Sequence, residues 1–188
     1  MTSLARIVCL AVASALAWLL TGPAQATTPI PPFSQASSTQ IQPQPPPGGC
    51  HETGLGLFKL PDPDCTPGAR NPQVKQSTLT QTICQPGYTK TVRPPSQITR
   101  AEKMLSMAAY GQTLPASRYE YDHLISLQLG GAPNDARNLW PELGPVPNQK
   151  DKLETRLKKM VCAHQIRLIT AQRKIATNWV AALDDIFG

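Results

Sequence analysis

Four cysteines, Cys50, Cys65, Cys84 and Cys162, constrain this chain more than any other feature, because they are scattered over its length with no close pair among them. None shows the C-x-x-C spacing of a zinc site, so cross-linking is the favoured reading. Cross-links persist in an oxidising compartment, and the N-terminus predicts one. Residues 1–26 have the layout of a secretory signal: Arg6 as a short positive start, an apolar run from Ile7 to Leu20, a helix-breaking Thr21-Gly22-Pro23 and the small-x-small cleavage site Ala24-Gln25-Ala26. The run falls short of the about 20 apolar residues a membrane span needs. Cys9 lies inside it and leaves with it. Cleavage after Ala26 predicts a secreted or periplasmic chain with two disulfides, and three pairings are open.

The mature chain divides by composition. Residues 27–50, rich in Pro, Ser and Gln, bury too little to offset their ordering entropy and are expected to be a disordered linker. Residues 51–188 make one domain. Its first part, to about residue 95, is turn-rich, with short strands expected at Ser77–Cys84 and Tyr88–Val92. A helix is predicted over 97–110, opened by a capping box at Thr99-Arg100-Ala101-Glu102, with Ala101, Met104, Leu105 and Ala108 on its apolar face and Gly111 as its stop. Tyr119–Leu129 reads as extended, followed by a glycine loop from Gly130 to Asp135. Two helices close the chain, over 148–161 with Leu153, Leu157, Met160 and Val161 inward, and from near His164 with Leu168, Ala171, Ile175, Trp179 and Ala182 inward. Trp140 and Trp179 are expected in the core, and His51 and His164 at the surface. The whole predicts an α+β fold with a small sheet.

The leader removes a single basic residue, Arg6, of the 18 Lys and Arg, so the mature chain keeps a positive balance over its 12 Asp and Glu. Such a balance suits a polyanionic partner, nucleic acid above all, without requiring one. Two enzyme classes fall away. No G-x-S-x-G elbow provides a serine nucleophile, and paired cysteines provide no thiolate. What stands out is YEYDHLISLQLGGAPNDARNLWPE, residues 119–142, where adjacent Asp122 and His123 precede a glycine pair and Asn138, with Asn148 at the next helix start. Taken singly, each has a plain structural reading: His123 as a half-buried histidine, Asn138 as a turn residue, Asn148 as an N-cap with Asp151 three residues on. Their order and spacing make the functional case.

That order resembles the HNH nuclease motif of the ββα-metal fold, with Asp122-His123, then Asn138-Leu139, then Asn148 where many members carry histidine. From about Cys65 onward, the segments CTPGA, ICQPGYTKTVRPP, YEYDHLISLQLGG, NLWPE, KDKLE and AQRKIATNW resemble exported bacterial HNH-family proteins. The resemblance implies a small ββα-metal core at about 117–161 with additional helices, stapled by disulfides. It implies a metal-dependent endonuclease that hydrolyses DNA phosphodiesters with little sequence preference, leaving 5′-phosphate and 3′-hydroxyl ends. His123 would be the general base, Asp122 and Asn148 the metal ligands, and Asn138 the residue that holds the loop and orients His123. Two oxygen ligands and no thiolate favour Mg²⁺ or Mn²⁺. Glu120, two residues before Asp122 on the same strand face, would lie beside the metal site. Arg118, Lys150 and Lys152 would contact substrate phosphates near the helix start. Two other readings compete: a non-catalytic exported nucleic-acid-binding module on the same scaffold, and a surface protein spaced from the envelope by its proline linker.

Overall fold

The computed structural model describes residues 39–188; the signal expected over 1–26, and residues 27–38 of the expected linker, lie outside the described residues. Elements alternate in type along the chain. A small hairpin pairs β1 (Thr53–Leu55) with β2 (Phe58–Leu60). A 3-10 turn at Gln76–Gln81 and helix α1 (Tyr88–Val92) lead to α2 (Ser96–Ala109). A second hairpin pairs β3 (Tyr119–His123) with β4 (Leu139–Leu143), and α3 (Gln149–Cys162) and α4 (Leu168–Phe187) follow. The fold is α+β, with two small antiparallel sheets.

The two disulfides join Cys50 to Cys65 and Cys84 to Cys162. They close loops of very different size, 15 and 78 residues apart in sequence. A cross-link stabilises chiefly by removing freedom from the unfolded chain, roughly as the logarithm of loop length. Replacing Cys84 and Cys162 by alanine is therefore expected to cost about 4.5 kcal/mol, against about 3 kcal/mol for Cys50 and Cys65. Urea melts of the two double variants, read side by side, check the order.

The closing helices form as their periodicity predicts. Asn148 caps α3: its Oδ1 accepts from the backbone N–H of Lys150 at 2.8 Å and of Asp151 at 3.2 Å, and the Asp151 carboxylate accepts from Asn148 N–H at 2.7 Å. This reciprocal pair satisfies donors a helix start otherwise leaves free. Leu153, Leu157 and Val161 are buried against α4, whose stripe Leu168, Ala171, Ile175, Trp179 and Ala182 is buried throughout. α4 starts later than expected, at Leu168, because His164 takes a left-handed conformation and the Leu168 N–H is held by Gln76. Trp140 and Trp179 are both core.

Several local expectations fail. Ser77–Cys84 is not a strand. Thr78 Oγ1 caps the Lys75 N–H and Thr82 Oγ1 donates to the Thr78 carbonyl, winding the segment so that Leu79 and Ile83 enter the core. Tyr88–Val92 is the short helix α1, started by Gly87 at φ 81. α2 begins three residues before the expected capping box, directly after Pro94-Pro95. Thr99 then bonds back to Ser96, and Glu102 is buried. Met104 and Leu105, expected inside, are exposed, because α2 turns Glu102, Ser106 and Met107 inward instead. The extended reading of 119–129 holds only to His123, after which Leu127–Leu129 forms a 3-10 turn.

The linker expectation also fails over 39–50. This proline-rich arm lies along the domain. The Gln42 N–H donates to Glu102 Oε1 at 2.7 Å, Asn134 Nδ2 donates to the Gln40 carbonyl at 2.8 Å, and the N–H groups of Gly48 and Cys50 reach the carbonyls of Ala108 and Ala109. Polyproline backbone has no partners of its own, and these are supplied by α2 and the glycine loop.

Candidate active site

The β3–β4 hairpin positions the residues singled out in the sequence. Register pairs Glu120 with Glu142, Asp122 with Trp140 and His123 with Leu139. Side chains alternate across a strand, so Glu120, Asp122 and Glu142 share one face, while Tyr121 and His123 share the other. The adjacent acid and imidazole therefore enter different surroundings.

Between β3 and β4, the chain folds tightly around Asn138. Its side chain is fully buried and makes four backbone bonds: Oδ1 accepts from Ile125 N–H at 2.9 Å and Ala69 N–H at 3.3 Å, and Nδ2 donates to the carbonyls of Ile125 at 3.0 Å and Ala132 at 3.1 Å. The glycine pair is needed here. Gly130 has φ 73, and a Cβ on Gly131 would lie 1.7 Å from the Ile125 carbonyl oxygen. One residue past Ala132, the Pro133 carbonyl meets His123 Nε2 at 2.9 Å. A carbonyl can only accept, so Nε2 carries the proton and Nδ1 holds the ring's lone pair. Asn138 thus holds the backbone that leads through Ala132 to the Pro133 carbonyl bonded to His123.

His123 is 6 % exposed. Burial pushes its pKa down to about 4, opposed by the Pro133 bond and the Asp122 charge, so the ring is neutral at ordinary pH. It forms part of the wall of a cleft of about 380 Å³ with Arg93, Pro94, Ser96, Thr99, Arg100, Lys103 and Tyr121. Three cations therefore surround one neutral imidazole. Lys103 donates to the carbonyls of Ala116 and Tyr119, while Arg93 and Arg100 stand exposed at the cleft. A larger cavity of about 560 Å³ between the Arg70–Gln76 loop and the start of α4 has neither imidazole nor carboxylate in its lining.

Of the three phosphate contacts expected, none lines this cleft. Lys150 is buried, at 1 % exposure. Lys152 lies with Leu57, Phe58 and Trp179 around a separate cavity, and Arg118 is an exposed residue ahead of β3. The basic residues that line it are Arg93, Arg100 and Lys103, none of which the sequence singled out. The signal available was RPPSQITRAEK, with basic residues spaced along the start of one helix; nothing local said that this helix faces His123.

The opposite face of the hairpin holds charge without solvent. Lys150 Nζ pairs with Asp122 Oδ2, donates to Glu154 Oε1 at 2.6 Å and donates to the His123 carbonyl at 2.9 Å. The ammonium and its hydrogen bonds hold the Asp122 carboxyl below its ordinary pKa, against a burial penalty that is the largest single influence. Glu142 shares a hydrogen bond with Asp122 and is pushed up to about 9, first by burial and then by the Asp122 charge, so it keeps its proton at neutral pH. Glu120, half-buried, is pushed up to about 7 by burial and by Asp122.

This arrangement does not fit the expected metal ligands. Asp122 is bound by an ammonium, and Asn148 Oδ1 is occupied by two backbone donors as the cap of α3. Among the described residues, no group of three or more His, Cys, Asp or Glu is set to hold a metal ion. No helix among them is long and apolar enough to cross a membrane. No family model, curated protein or solved structure matches the chain.

Proposed function

We propose that this chain is an exported endonuclease of the HNH type, hydrolysing the phosphodiester backbone of DNA with little sequence preference at the Arg93–Arg100–His123 cleft. The observation that carries the reading is a neutral imidazole in the wall of a cleft whose exposed charges are guanidiniums. Guanidinium forks match phosphate oxygens in pairs, and contacts of this kind bind backbone without reading bases. His123 Nδ1, the free lone pair, accepts a proton from the attacking water as its oxygen bonds to phosphorus. The negative charge that develops on the phosphate falls between Arg93 and Arg100, and the 3′ oxygen departs with its bonding electron pair and takes a proton from solvent water.

Substrate also tunes the base. In the free protein, the Arg93 charge helps keep the His123 ring neutral. A bound phosphodiester neutralises that charge and places a negative one nearby, so the ring's proton affinity rises as substrate enters. In the free enzyme, a histidine held below its usual range must lose its proton at lower pH. The acid limb of kcat/KM, which reports the free enzyme, is therefore expected well below the ordinary histidine value of about 6.5, toward 4. In Arg93→Ala, the limb moves to higher pH, since a cation that lowered the pKa is gone. A pH–rate series on both proteins checks the sign.

The deciding experiment is cleavage of supercoiled plasmid by the mature chain with both disulfides formed. His123→Ala is expected to lower the rate by about 10²–10⁴-fold, the usual contribution of a positioned base. Arg93→Ala with Arg100→Ala should weaken DNA binding and flatten its dependence on salt by about two phosphate contacts. Equal inactivity of wild type and His123→Ala, with DNA binding intact, would replace the enzyme by the binding module.

A further inference from the structure

The cluster on the far face of the β3–β4 hairpin invites comparison with a cation site. Its acceptors are oxygen atoms: a carboxylate from β3 (Asp122), a carboxylate from α3 (Glu154) and the backbone carbonyl of His123, with Glu142 of β4 bonded to Asp122. All lie within the fold; Glu154 is 5 % exposed and Glu142 is 3 % exposed. Carboxylates and a carbonyl are the donors a hard divalent ion takes. One positive charge already sits among them. The Lys150 ammonium meets three of these oxygens, matching its three N–H donors one to one. The lysine is held in place by the first turn of α3, whose cap, Asn148, accepts from the Lys150 N–H itself.

We infer that the Lys150 ammonium is a built-in replacement for a divalent ion, occupying the place between hairpin and helix where an HNH-type site would hold its metal, and that this chain binds no divalent ion there. The inference stands on contacts around Lys150 and not on the reaction proposed above. It concerns a fixed charge, so it also differs in consequence from a bound ion: a chelator cannot remove a side chain. The Asp122–Asn148 ligand pair is thereby divided into a carboxylate that anchors an ammonium and an amide that caps the helix carrying it.

Two oxygens in the cluster have no hydrogen-bond partner, Oε2 of Glu120 and Oε2 of Glu142. They give the site spare acceptor capacity that an ammonium with three protons cannot fill. Removing the lysine side chain therefore leaves an oxygen-lined vacancy with net negative charge, suited to a small hard cation. The same substitution that empties the site should thus create a metal dependence that the wild type lacks.

Mn²⁺ alone is the probe, because its unpaired electrons broaden nuclear resonances close to a bound ion. In a ¹⁵N-labelled mature wild-type chain, one equivalent of Mn²⁺ is expected to leave the amide signals of residues 120–124 and 150–154 sharp, and neither excess Mn²⁺ nor EDTA should move Tm. Selective broadening of those signals, relieved in Asp122→Asn, would overturn the inference, whether or not the protein cleaves DNA. In Lys150→Ala, Mn²⁺ is expected to raise Tm by several degrees and EDTA to reverse it. A folded Lys150→Ala indifferent to Mn²⁺ would equally overturn it. Should that variant be too unstable to melt cooperatively, Lys150→Ala with Glu120→Gln, which carries one buried carboxylate fewer, serves for the same titration.

Discussion

Lys150→Met is expected to lower folding stability by roughly 3–5 kcal/mol, the cost of stripping a buried ion pair of one partner. The lysine is inaccessible, and its ammonium is shared by Asp122 and Glu154, which have 13 % and 7 % of their side chains exposed. Without it, two carboxylates face each other inside the fold, and water cannot reach them well enough to compensate. The loss should be recoverable. Adding Asp122→Asn and Glu154→Gln to Lys150→Met removes the stranded charges, and neutral replacements of whole buried ion clusters are often close to isoenergetic. Urea denaturation of the single and the triple variant, compared with wild type, measures this directly. If Lys150→Met alone costs less than about 1 kcal/mol, as an exposed pair would, the cluster is not buried as described.

The second large effect is expected from Asn138→Ala. Four backbone groups lose their partners at once: the N–H groups of Ile125 and Ala69 and the carbonyls of Ile125 and Ala132. Each unsatisfied buried group costs about 1–3 kcal/mol, and the sum is less than additive because the loop can relax. A total above about 3 kcal/mol is expected from these terms. Asn138→Asp separates position from polarity. It keeps an accepting oxygen for Ile125 and Ala69 but cannot donate to Ala132, whose neighbour Pro133 holds His123. It should fold with an intermediate loss while cleavage falls further than stability does. Denaturation and plasmid cleavage measured on the same preparations test that split, since a purely structural asparagine would move both together.

The regular elements were readable because their patterns are local. A 3.6-residue stripe placed the inward faces of α3 and α4, and Asn148 with Asp151 announced the start of α3 by a bond pattern that needs only neighbouring residues. The glycine pair was readable as a loop, while Asn138 by itself read as a turn residue and its loop-holding place followed only from the resemblance to the HNH motif. Ser77–Cys84 and the buried face of α2 were not: threonine hydroxyls bonded to nearby backbone wind the first, and the second is decided by what packs against it, the proline-rich arm.

The sequence by itself determined an α+β chain with cysteines to cross-link, a glycine loop from Gly130 to Asp135, and Asp122 and His123 side by side in an extended segment. Only the tertiary structure decided which cysteines pair, and what surroundings Asp122 and His123 meet on the two faces of the hairpin. It also decided that Lys150 turns inward to Asp122 and Glu154, and that Arg93 and Arg100 line the cleft beside His123. The reason is physical. Charge in a sequence has a sign but no surroundings, and whether a lysine meets a phosphate or neutralises buried carboxylates depends on how far the fold has removed it from water.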